Sequence, residues 1–240
     1  MASATALTGQ RLTLFDLDHT LLAGDSDELW CEFLMAKGVL PRDAFEPRNK
    51  EMARGYRNAT VSTQEFADFY VGTLAGRTSL ECEPLREEFL VTEIVPRVPA
   101  SSVRLVEGHL NAGDLVVMTT ATNRVITELT AMYFGIEHLL ATDVEVVDGR
   151  FSGRTRGVLN MRGGKVERLT AWLKQRRHAL SAFTSTAYSD SINDLPLLCA
   201  VTHPVAVDPD PQLAAIAHER HWPVLYLHTT EAGALHRSAR

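Results

Sequence analysis

The stretch that decides the fold is LFDLDHTLL, residues 14–22, where two aspartates two positions apart follow a short apolar run. In extended backbone successive side chains point to opposite faces, so Asp16 and Asp18 share one face. Like charges this close repel each other and require open water or a compensating cation. The pair therefore indicates a ligand crevice at the carboxyl end of a buried strand.

Further short runs rich in bulky or β-branched apolar residues lie along the chain, separated by helical patterns. Runs that are apolar throughout are typical of parallel strands buried on both faces. They predict strands over residues 11–15, 115–119, 183–188, 204–207 and, from a weaker run, 223–227. Alternating valines around an Asp-Gly turn in residues 143–153 predict a β-hairpin that extends the sheet edge. The predicted fold class is α/β, with a Rossmann-like three-layer parallel sheet.

The segment between the first strand and about residue 99 has a different character. It contains no strand-like run, and its aromatic residues recur at helical spacing, which is typical of helices that pack on one another. We therefore predict two domains: a catalytic core formed by residues 1–24 and 100–240, and an inserted helical cap over residues 25–99. A cap inserted there would cover the sheet edge at which α/β folds bind ligands.

Composition and charge exclude several classes of protein. The formal net charge of the 240 residues is -6 and no long basic stretch is present, so no nucleic-acid partner is expected. No run of about 18 apolar residues and no signal-peptide pattern is found, which predicts neither secretion nor a membrane span. Three widely spaced cysteines fit a reducing cytoplasm. His218 and His221 are expected in a solvated helix end, and no oligomeric state is predicted.

A second group of acids follows the predicted strand over residues 183–188. Asp190, Asn193 and Asp194 come directly after this strand, so two separate strand ends each deliver paired acids. Oxygen ligands of this kind suit Mg²⁺, which proteins hold with a few carboxylates, waters and a substrate phosphate. A helix N-cap would explain one or two of these residues but not the whole group.

Two further residues have the chemistry of a phosphate site. Thr120 follows a third strand, LVVM, and leads into a helix whose free amides would help to cradle a phosphate. Lys165 lies in the first turn of an amphipathic helix, where a cation is unfavourable to the helix dipole and therefore indicates an anionic neighbour. The alternatives are that Thr120 or Thr122 only caps the helix, and that Lys165 is an ordinary surface lysine.

With DLDHT, TTAT, GGK and SDSINDLPLL in this order, the chain resembles the haloacid dehalogenase superfamily of phosphohydrolases, specifically the subfamily of phosphoserine phosphatase. The resemblance covers nearly the whole chain and implies a Mg²⁺-dependent hydrolysis of a small phosphate ester. It implies that Asp16 attacks phosphorus and forms an aspartyl phosphate, while Asp18 protonates the leaving alcohol and later deprotonates water.

The resemblance also assigns the supporting residues. Phosphoryl oxygens would be held by Thr120, Ala121, Lys165 and Asn193. Mg²⁺ would be bound by Asp16, the backbone carbonyl of Asp18, and Asp190, with Asp194 in support.

Departures from the family pattern concern the substrate. Asp25 stands where phosphoserine phosphatases carry a glutamate near the substrate amine, so a cationic group is still expected beside a shorter acid. On the cap, Arg54 is the candidate partner for a substrate carboxylate, with Arg48 and Arg57 as alternatives. Phosphoserine and histidinol phosphate, an amine without a carboxylate, both remain candidate substrates at this point.

Three classes of function are compatible with the motifs. The leading hypothesis is a phosphomonoester hydrolase acting on a small cytosolic metabolite. The alternative is a phospho-acceptor signalling or phosphotransfer protein, although receiver domains usually have adjacent acids, about half this length and no inserted cap. A catalytically silent binding protein is disfavoured, because burying these acids without a function would be costly.

Overall fold

The centre of the molecule is a seven-stranded sheet. The computed structural model describes residues 10–57 and 60–228 of the chain. The strands are β1 (Arg11–Phe15), β2 (Leu115–Asn123), β3 (His138–Val147), β4 (Arg150–Arg156), β5 (Thr184–Ser189), β6 (His203–Val207) and β7 (Val224–Leu225). Their order in the sheet is β4-β3-β2-β1-β5-β6-β7.

Strand β1 lies in the middle of the sheet and pairs in parallel with both β2 and β5. Every other pair is also parallel except β3 with β4, which form an antiparallel hairpin. Asp148 and Gly149 connect the hairpin with φ of 50° and 77°, the left-handed conformation that a two-residue Asp-Gly turn requires. Because parallel strands end at the same edge, the residues that follow β1, β2 and β5 lie side by side.

Helices cover both faces of the sheet and also form the inserted region. They are α1 (Ser26–Ala36), α2 (Arg42–Arg57), α3 (Thr63–Gly72), α4 (Ser79–Phe89), α5 (Ala100–Asn111), α6 (Arg124–Tyr133), α7 (Gly163–Gln175), α8 (Leu195–Ala200) and α9 (Pro211–Glu219). A π-helical turn over Leu90–Ile94 and a 3₁₀ turn over Val95–Arg97 join α4 to α5.

Alternate residues of the central strands bury into two different hydrophobic clusters. Leu12 and Leu14 pack with residues of α7, α8 and α9. Phe15 belongs to a cluster that includes residues of α5 and α6. This gives helix, sheet and helix layers, and the prediction of an α/β, Rossmann-like parallel sheet is confirmed.

The helices α1 to α4 follow β1, and within the described part of this segment no strand is present. Trp30 is 1% exposed, stacks against Phe33 and meets the ring of Phe89 edge-on at 5.1 Å. These aromatic residues belong to the same hydrophobic cluster as Phe15 of the sheet. The helical insertion is therefore packed onto the sheet, and the boundaries at residues 24/25 and 99/100 stay a prediction.

The hairpin also contacts the insertion directly. The amide of Gly76 donates to the carbonyl of Phe151 at 2.8 Å, and the amide of Phe151 donates to the carbonyl of Arg77 at 2.8 Å. Gly153 has φ of 82°, and a Cβ at this position would lie 2.9 Å from that of Ala75. The edge of the sheet and the turn after α3 are thus held together by backbone hydrogen bonds and close packing.

The predicted strands agree with the structure to within a few residues, and β1 matches in full. The first half of β3, residues 138–142, was not predicted; it pairs in parallel with β2 before the chain enters the hairpin. His218 and His221 are exposed at the end of α9, as expected. Across the described ranges, no helix is both long enough and apolar enough to cross a membrane.

Candidate active site

The turn after β1 brings the two aspartates of the first motif to the sheet edge. The amide of Asp16 continues the ladder by donating to the carbonyl of Tyr188 at 3.0 Å. The carbonyl of Leu17 then accepts from the amides of Thr20, Leu21 and Leu22, which closes a tight helical turn. The side chain of Leu17 is fully buried. This turn points Asp16 and Asp18 into one cavity under the inserted helices.

The cavity lies between the sheet edge and the insertion. The sheet side contributes the acids Asp16, Asp18, Asp190 and Asp194 together with Lys165, while the insertion contributes Asp25, Asp27 and Glu28 and an apolar wall of Ala53, Tyr56 and Phe66. Residues from remote parts of the chain therefore surround one space.

Lys165 is buried between two carboxylates. Its ammonium donates to Asp16 Oδ1 at 2.7 Å and to Asp194 Oδ2 at 2.6 Å, and the side chain is 3% exposed. Burial alone would lower the pKa of Lys165, but the charges of Asp16 and Asp194 outweigh this effect and raise it. Lys165 is therefore a fixed cation, and the anionic neighbour expected from its place in the first turn of α7 is present.

Thr20 joins the carboxylates of the first and last motifs. Its hydroxyl lies 3.2 Å from both Asp16 Oδ2 and Asp190 Oδ1, and it accepts from the Asp190 amide at 3.0 Å. Burial raises the pKa of Asp16 to about 7 against the effect of Lys165, and burial beside Asp16 and Asp194 raises the pKa of Asp190. Of the lysines in the described residues, Lys165 is the one that lines the cavity beside the three carboxylates Asp16, Asp190 and Asp194.

This excess of negative charge and the oxygen-only donors fit a hard divalent cation. Throughout the described ranges no three His, Cys, Asp or Glu side chains form a ready-made metal cluster. A magnesium ion held by Asp16, Asp190 and the backbone carbonyl of Asp18 would complete its shell with water and substrate oxygens, which is its usual preference.

Asp18 is held by donors on both carboxylate oxygens. Oδ1 accepts from the Ser26 amide at 2.7 Å, and Oδ2 lies 3.2 Å from the Thr120 hydroxyl and 3.0 Å from the Thr122 hydroxyl. Thr120 is completely buried and does not line the cavity, whereas Ala121 and Thr122 do. Neither threonine caps the helix that follows, since Asn123 is the N-cap of α6.

The other predicted residues of the last motif take up separate positions. Asn193 lines the cavity, and its backbone N–H donates to the Ser191 hydroxyl at 3.2 Å. Asp194 accepts from Lys165 and, at 2.8 Å, from the Ser189 hydroxyl, so it orients the lysine. The hydroxyl of Ser189, at the end of β5, therefore helps to fix the position of Asp194.

The insertion presents the acids Asp25, Asp27 and Glu28 to the cavity. Asp25 caps α1 by accepting from the Glu28 amide at 2.9 Å. Asp27 is 3% exposed, and its Oδ2 lies 3.1 Å from the Thr122 hydroxyl. Burial raises the pKa of both Asp25 and Asp27, and repulsion from Asp18 is the second cause of the increase. Two acids with raised pKa beside a cavity favour a cationic ligand.

The structure does not bring the predicted arginine to the cavity. Arg54 is exposed on α2, and Arg48 lies over the ring of Phe69 at 5.1 Å. The side chain of Arg57 lies outside the described residues. Arg162 lies over the Tyr56 ring at 5.8 Å and is not a lining residue. Among the residues described, therefore, no arginine lines the cavity to receive a substrate carboxylate.

Sequence reasoning missed Asp27, Glu28, Ser26 and Thr122. Acids in the first turn of a helix have a sufficient local explanation in the helix dipole, so Asp27 and Glu28 gave no separate signal. The available signal was that both residues follow Asp25 within three positions in the sequence, and Asp25 was already expected at the substrate.

Comparison with known proteins agrees with this geometry. The chain matches the family model of haloacid dehalogenase-like hydrolases over residues 13–198. It is 37% identical over 218 residues to a histidinol-phosphatase of Neisseria meningitidis serogroup C (strain 8013), which covers 90% of this chain and 98% of that protein. It is 32% identical over 224 residues to a phosphoserine phosphatase of Mycobacterium tuberculosis (strain H37Rv), covering 88% of this chain and 68% of that protein.

A solved structure from Bordetella pertussis Tohama I, of a protein described as having unknown function, has a TM-score of 0.88 and 44% identity to this chain. The match covers 92% of this chain and 100% of that one. The fold and the site together define a hydrolase of the haloacid dehalogenase type, and the chain belongs to this family. Within the family it is a phosphatase.

Proposed function

We propose that this phosphatase hydrolyses phosphomonoesters of amino alcohols that carry no carboxylate, with histidinol phosphate as the leading substrate. The observation that carries the proposal is the composition of the cavity on the side of the insertion. That side presents the acids Asp25 and Asp27, and no arginine within the described residues lines it. Such a wall attracts a cation and repels a carboxylate. The similarity to a histidinol-phosphatase over nearly its whole length supports the same choice.

In the proposed reaction an oxygen of Asp16 attacks phosphorus, and the bond between phosphorus and the ester oxygen breaks. Asp18 gives its proton to the departing alcohol, so that a neutral amino alcohol oxygen leaves. In the second half Asp18 takes a proton from water, the water oxygen attacks phosphorus, and the bond to Asp16 breaks. Inorganic phosphate is released, and both aspartates return to their starting protonation.

Lys165 stabilises this chemistry because its fixed charge lies beside the attacking carboxylate and would meet the phosphoryl oxygens as their charge grows. The hydrogen bonds from the Ser26 amide and the two threonines hold Asp18 where the leaving oxygen must be. Bound Mg²⁺ would supply positive charge that neutralises the phosphoryl group and keeps Asp16 ionised. We place the reaction in the cytoplasm, which the three unpaired cysteines support.

Phosphoserine is the second candidate substrate, favoured by the similarity to a phosphoserine phosphatase. It carries a carboxylate where histidinol phosphate carries an imidazolylmethyl group, and this carboxylate would have to approach the acids Asp25 and Asp27. We expect it to be the poorer substrate for this reason. Transfer of the phosphoryl group to an alcohol acceptor instead of water would follow the same first half-reaction, so the assay must measure free inorganic phosphate.

The test is a panel of phosphomonoesters assayed for phosphate release with Mg²⁺ and with EDTA. Histidinol phosphate should give a kcat/KM at least about tenfold above phosphoserine, as expected for the cost of placing an uncompensated charge near buried acids. The variant D16N should release no phosphate from any substrate. A wild-type preference for phosphoserine, or turnover that survives in D16N, would contradict the proposal.

A further inference from the structure

Asp27 differs from the other acids of the cavity in having an unused carboxylate oxygen. The side chain is 3% exposed and lines the cavity, yet its Oδ1 has no hydrogen-bond partner within the described residues. A buried carboxylate oxygen without a donor is costly, so such atoms usually mark a place where another group binds. Asp25 is the acid expected beside the substrate amine, and the proposed reaction gives Oδ1 of Asp27 no role.

The other oxygen of Asp27 has the same hydrogen-bond donor as Asp18, the hydroxyl of Thr122. The Thr122 hydroxyl lies 3.1 Å from Asp27 Oδ2 and 3.0 Å from Asp18 Oδ2, and it accepts from the Ser26 hydroxyl at 3.1 Å. A threonine hydroxyl has one proton, so it donates to only one of the two carboxylates at a time. When it donates to Asp18, neither oxygen of Asp27 has a donor within the described part of the chain.

We propose that Asp27 is a specificity-determining residue whose free oxygen accepts an N–H of the substrate, distinct from the amine near Asp25. The ligand class is a phosphomonoester of an amino alcohol that carries a second nitrogen donor. This inference rests on the proposed function and names which feature of the substrate the cavity recognises.

The surroundings of Asp27 suit this ligand. Asp18 and Asp25 line the same space, so a second positive or strongly polarised N–H enters a field of negative charge. The rings of Tyr56 and Phe66, stacked with their centroids 4.2 Å apart, line the cavity and offer apolar contact to the body of such a ligand. A substrate with one amine would leave Asp27 as it is in the free protein.

Binding at Asp27 also has an effect on Asp18. Once the substrate N–H satisfies Asp27, the proton of Thr122 is free to remain with Asp18 Oδ2, which it then holds in place. The correct substrate thus strengthens the positioning of the general acid through a single hydroxyl.

The test compares D27N with D43N. Asp43 is the matched control, because it occupies the corresponding second position of helix α2, is exposed and does not line the cavity. Histidinol phosphate, 2-aminoethyl phosphate and 4-nitrophenyl phosphate serve as substrates with two, one and no basic nitrogen groups. We expect D27N to raise the KM for histidinol phosphate by about tenfold or more, the size of a lost hydrogen bond to a charged group.

D43N should stay within about twofold of the wild type for all three substrates. D27N should lose clearly less on 2-aminoethyl phosphate and on 4-nitrophenyl phosphate than on histidinol phosphate, because only histidinol phosphate brings a second nitrogen group to Asp27. Retained hydrolysis of 4-nitrophenyl phosphate shows that D27N is folded. An equal loss on all three substrates, or an unchanged KM for histidinol phosphate, would overturn the inference.

Failure of the proposed function is recognised separately, as wild-type protein that hydrolyses 4-nitrophenyl phosphate but neither amine phosphate. In that case free histidinol is used as a competitive inhibitor of 4-nitrophenyl phosphate hydrolysis. Inhibition that is at least about tenfold weaker for D27N still supports a nitrogen-binding role for Asp27, and equal inhibition constants exclude it.

Discussion

Lys165 shows how a single residue organises the phosphate end of the site. It is buried, paired with two carboxylates at 2.6 and 2.7 Å, and therefore keeps its charge. The same charge that stabilises the folded site is the charge that a phosphoryl group would meet. A residue with both roles should be sensitive to substitution in two independent measurements.

We expect Lys165→Met to lower the free energy of unfolding by about 3 kcal/mol, because two buried carboxylates lose their cation. Phosphate release should fall by at least about a hundredfold. Lys174→Met is the control, since Lys174 lies exposed at the other end of the same helix. Denaturant unfolding and the phosphate assay check both effects. A Lys165→Met protein as stable and active as Lys174→Met would contradict the role given to Lys165.

Asp16 should make the stability of the metal-free protein depend on pH. Its pKa is raised from 3.8 to about 7, so its protonated form is favoured by folding. The contribution to stability is fully present below the ordinary pKa and is lost as the pH rises through about 7. In EDTA, the thermal midpoint of the wild type should fall more between about pH 5 and about pH 8 than that of D16N.

Saturating Mg²⁺ should reduce that fall in the wild type, since a cation beside Asp16 favours its ionised form. Differential scanning calorimetry of both proteins at the two pH values provides the measurement. Identical pH slopes for the wild type and D16N in EDTA would show that Asp16 does not titrate in this range.

At the residue scale, the motif acids were predictable because they follow predicted strands in groups that helix capping alone does not explain. Asp27 was not, because an acid in the first turn of a helix is already explained by the helix dipole. Arg54 was expected at the cavity, but sequence alone does not show which face of α2 turns toward the sheet. The positions of Asp27 and Arg54 relative to the cavity depend on tertiary packing between distant segments.

At the scale of elements, the short approach to α7 positions Lys165. Gly164 lies so close to the preceding turn that an added Cβ would be 2.1 Å from the carbonyl oxygen of Leu159. Gly163, its neighbour, has nothing within 4 Å of the same position. The two adjacent glycines therefore have different constraints although the sequence shows only a Gly-Gly pair.

We expect Gly164→Ala to destabilise the protein by about 1–3 kcal/mol, because backbone rather than a flexible side chain must move. Its activity should also fall, since the displaced backbone carries Lys165. Gly163→Ala should be as stable as the wild type and fully active. Chemical denaturation and phosphate release of the matched pair check this, and equal behaviour of the two variants would contradict it.

Element prediction succeeded where one physical signal dominated. Strands β1 and β6 are mostly apolar because both of their faces are covered, and that composition is visible in the sequence. The start of β3, with the sequence HLLAT, has only one β-branched residue, Thr142, and was obscured by the alternating valines that follow. The π-helical turn over Leu90–Ile94 has no comparable sequence pattern.

At the scale of the whole molecule, the helical insertion and the sheet share one hydrophobic cluster. Trp30 and Phe89 of the insertion and Phe15 and Met118 of the sheet are members of the same cluster. A further hydrophobic cluster is formed mainly by residues of the insertion, together with Met161 of the core. The division at residues 24/25 and 99/100 stays a prediction, and the shared cluster favours unfolding of both parts together.

We therefore expect cooperative unfolding of the insertion and the sheet. A W172F/W222F variant leaves Trp30 as the only tryptophan, so its fluorescence reports on the insertion. Its urea midpoint should coincide with the midpoint measured by far-ultraviolet circular dichroism. Two separate transitions would show that the insertion unfolds by itself.

The backbone hydrogen bonds between Phe151 and the turn at Gly76 and Arg77 have a consequence for protein engineering. A chimera that exchanges only residues 25–99 with those of a relative would pair a foreign turn with the native hairpin. The hydrogen bonds between the turn and the hairpin would then be lost. Grafts intended to change substrate preference should transplant residues 143–156 together with the helices, so that both sides of the junction come from one parent.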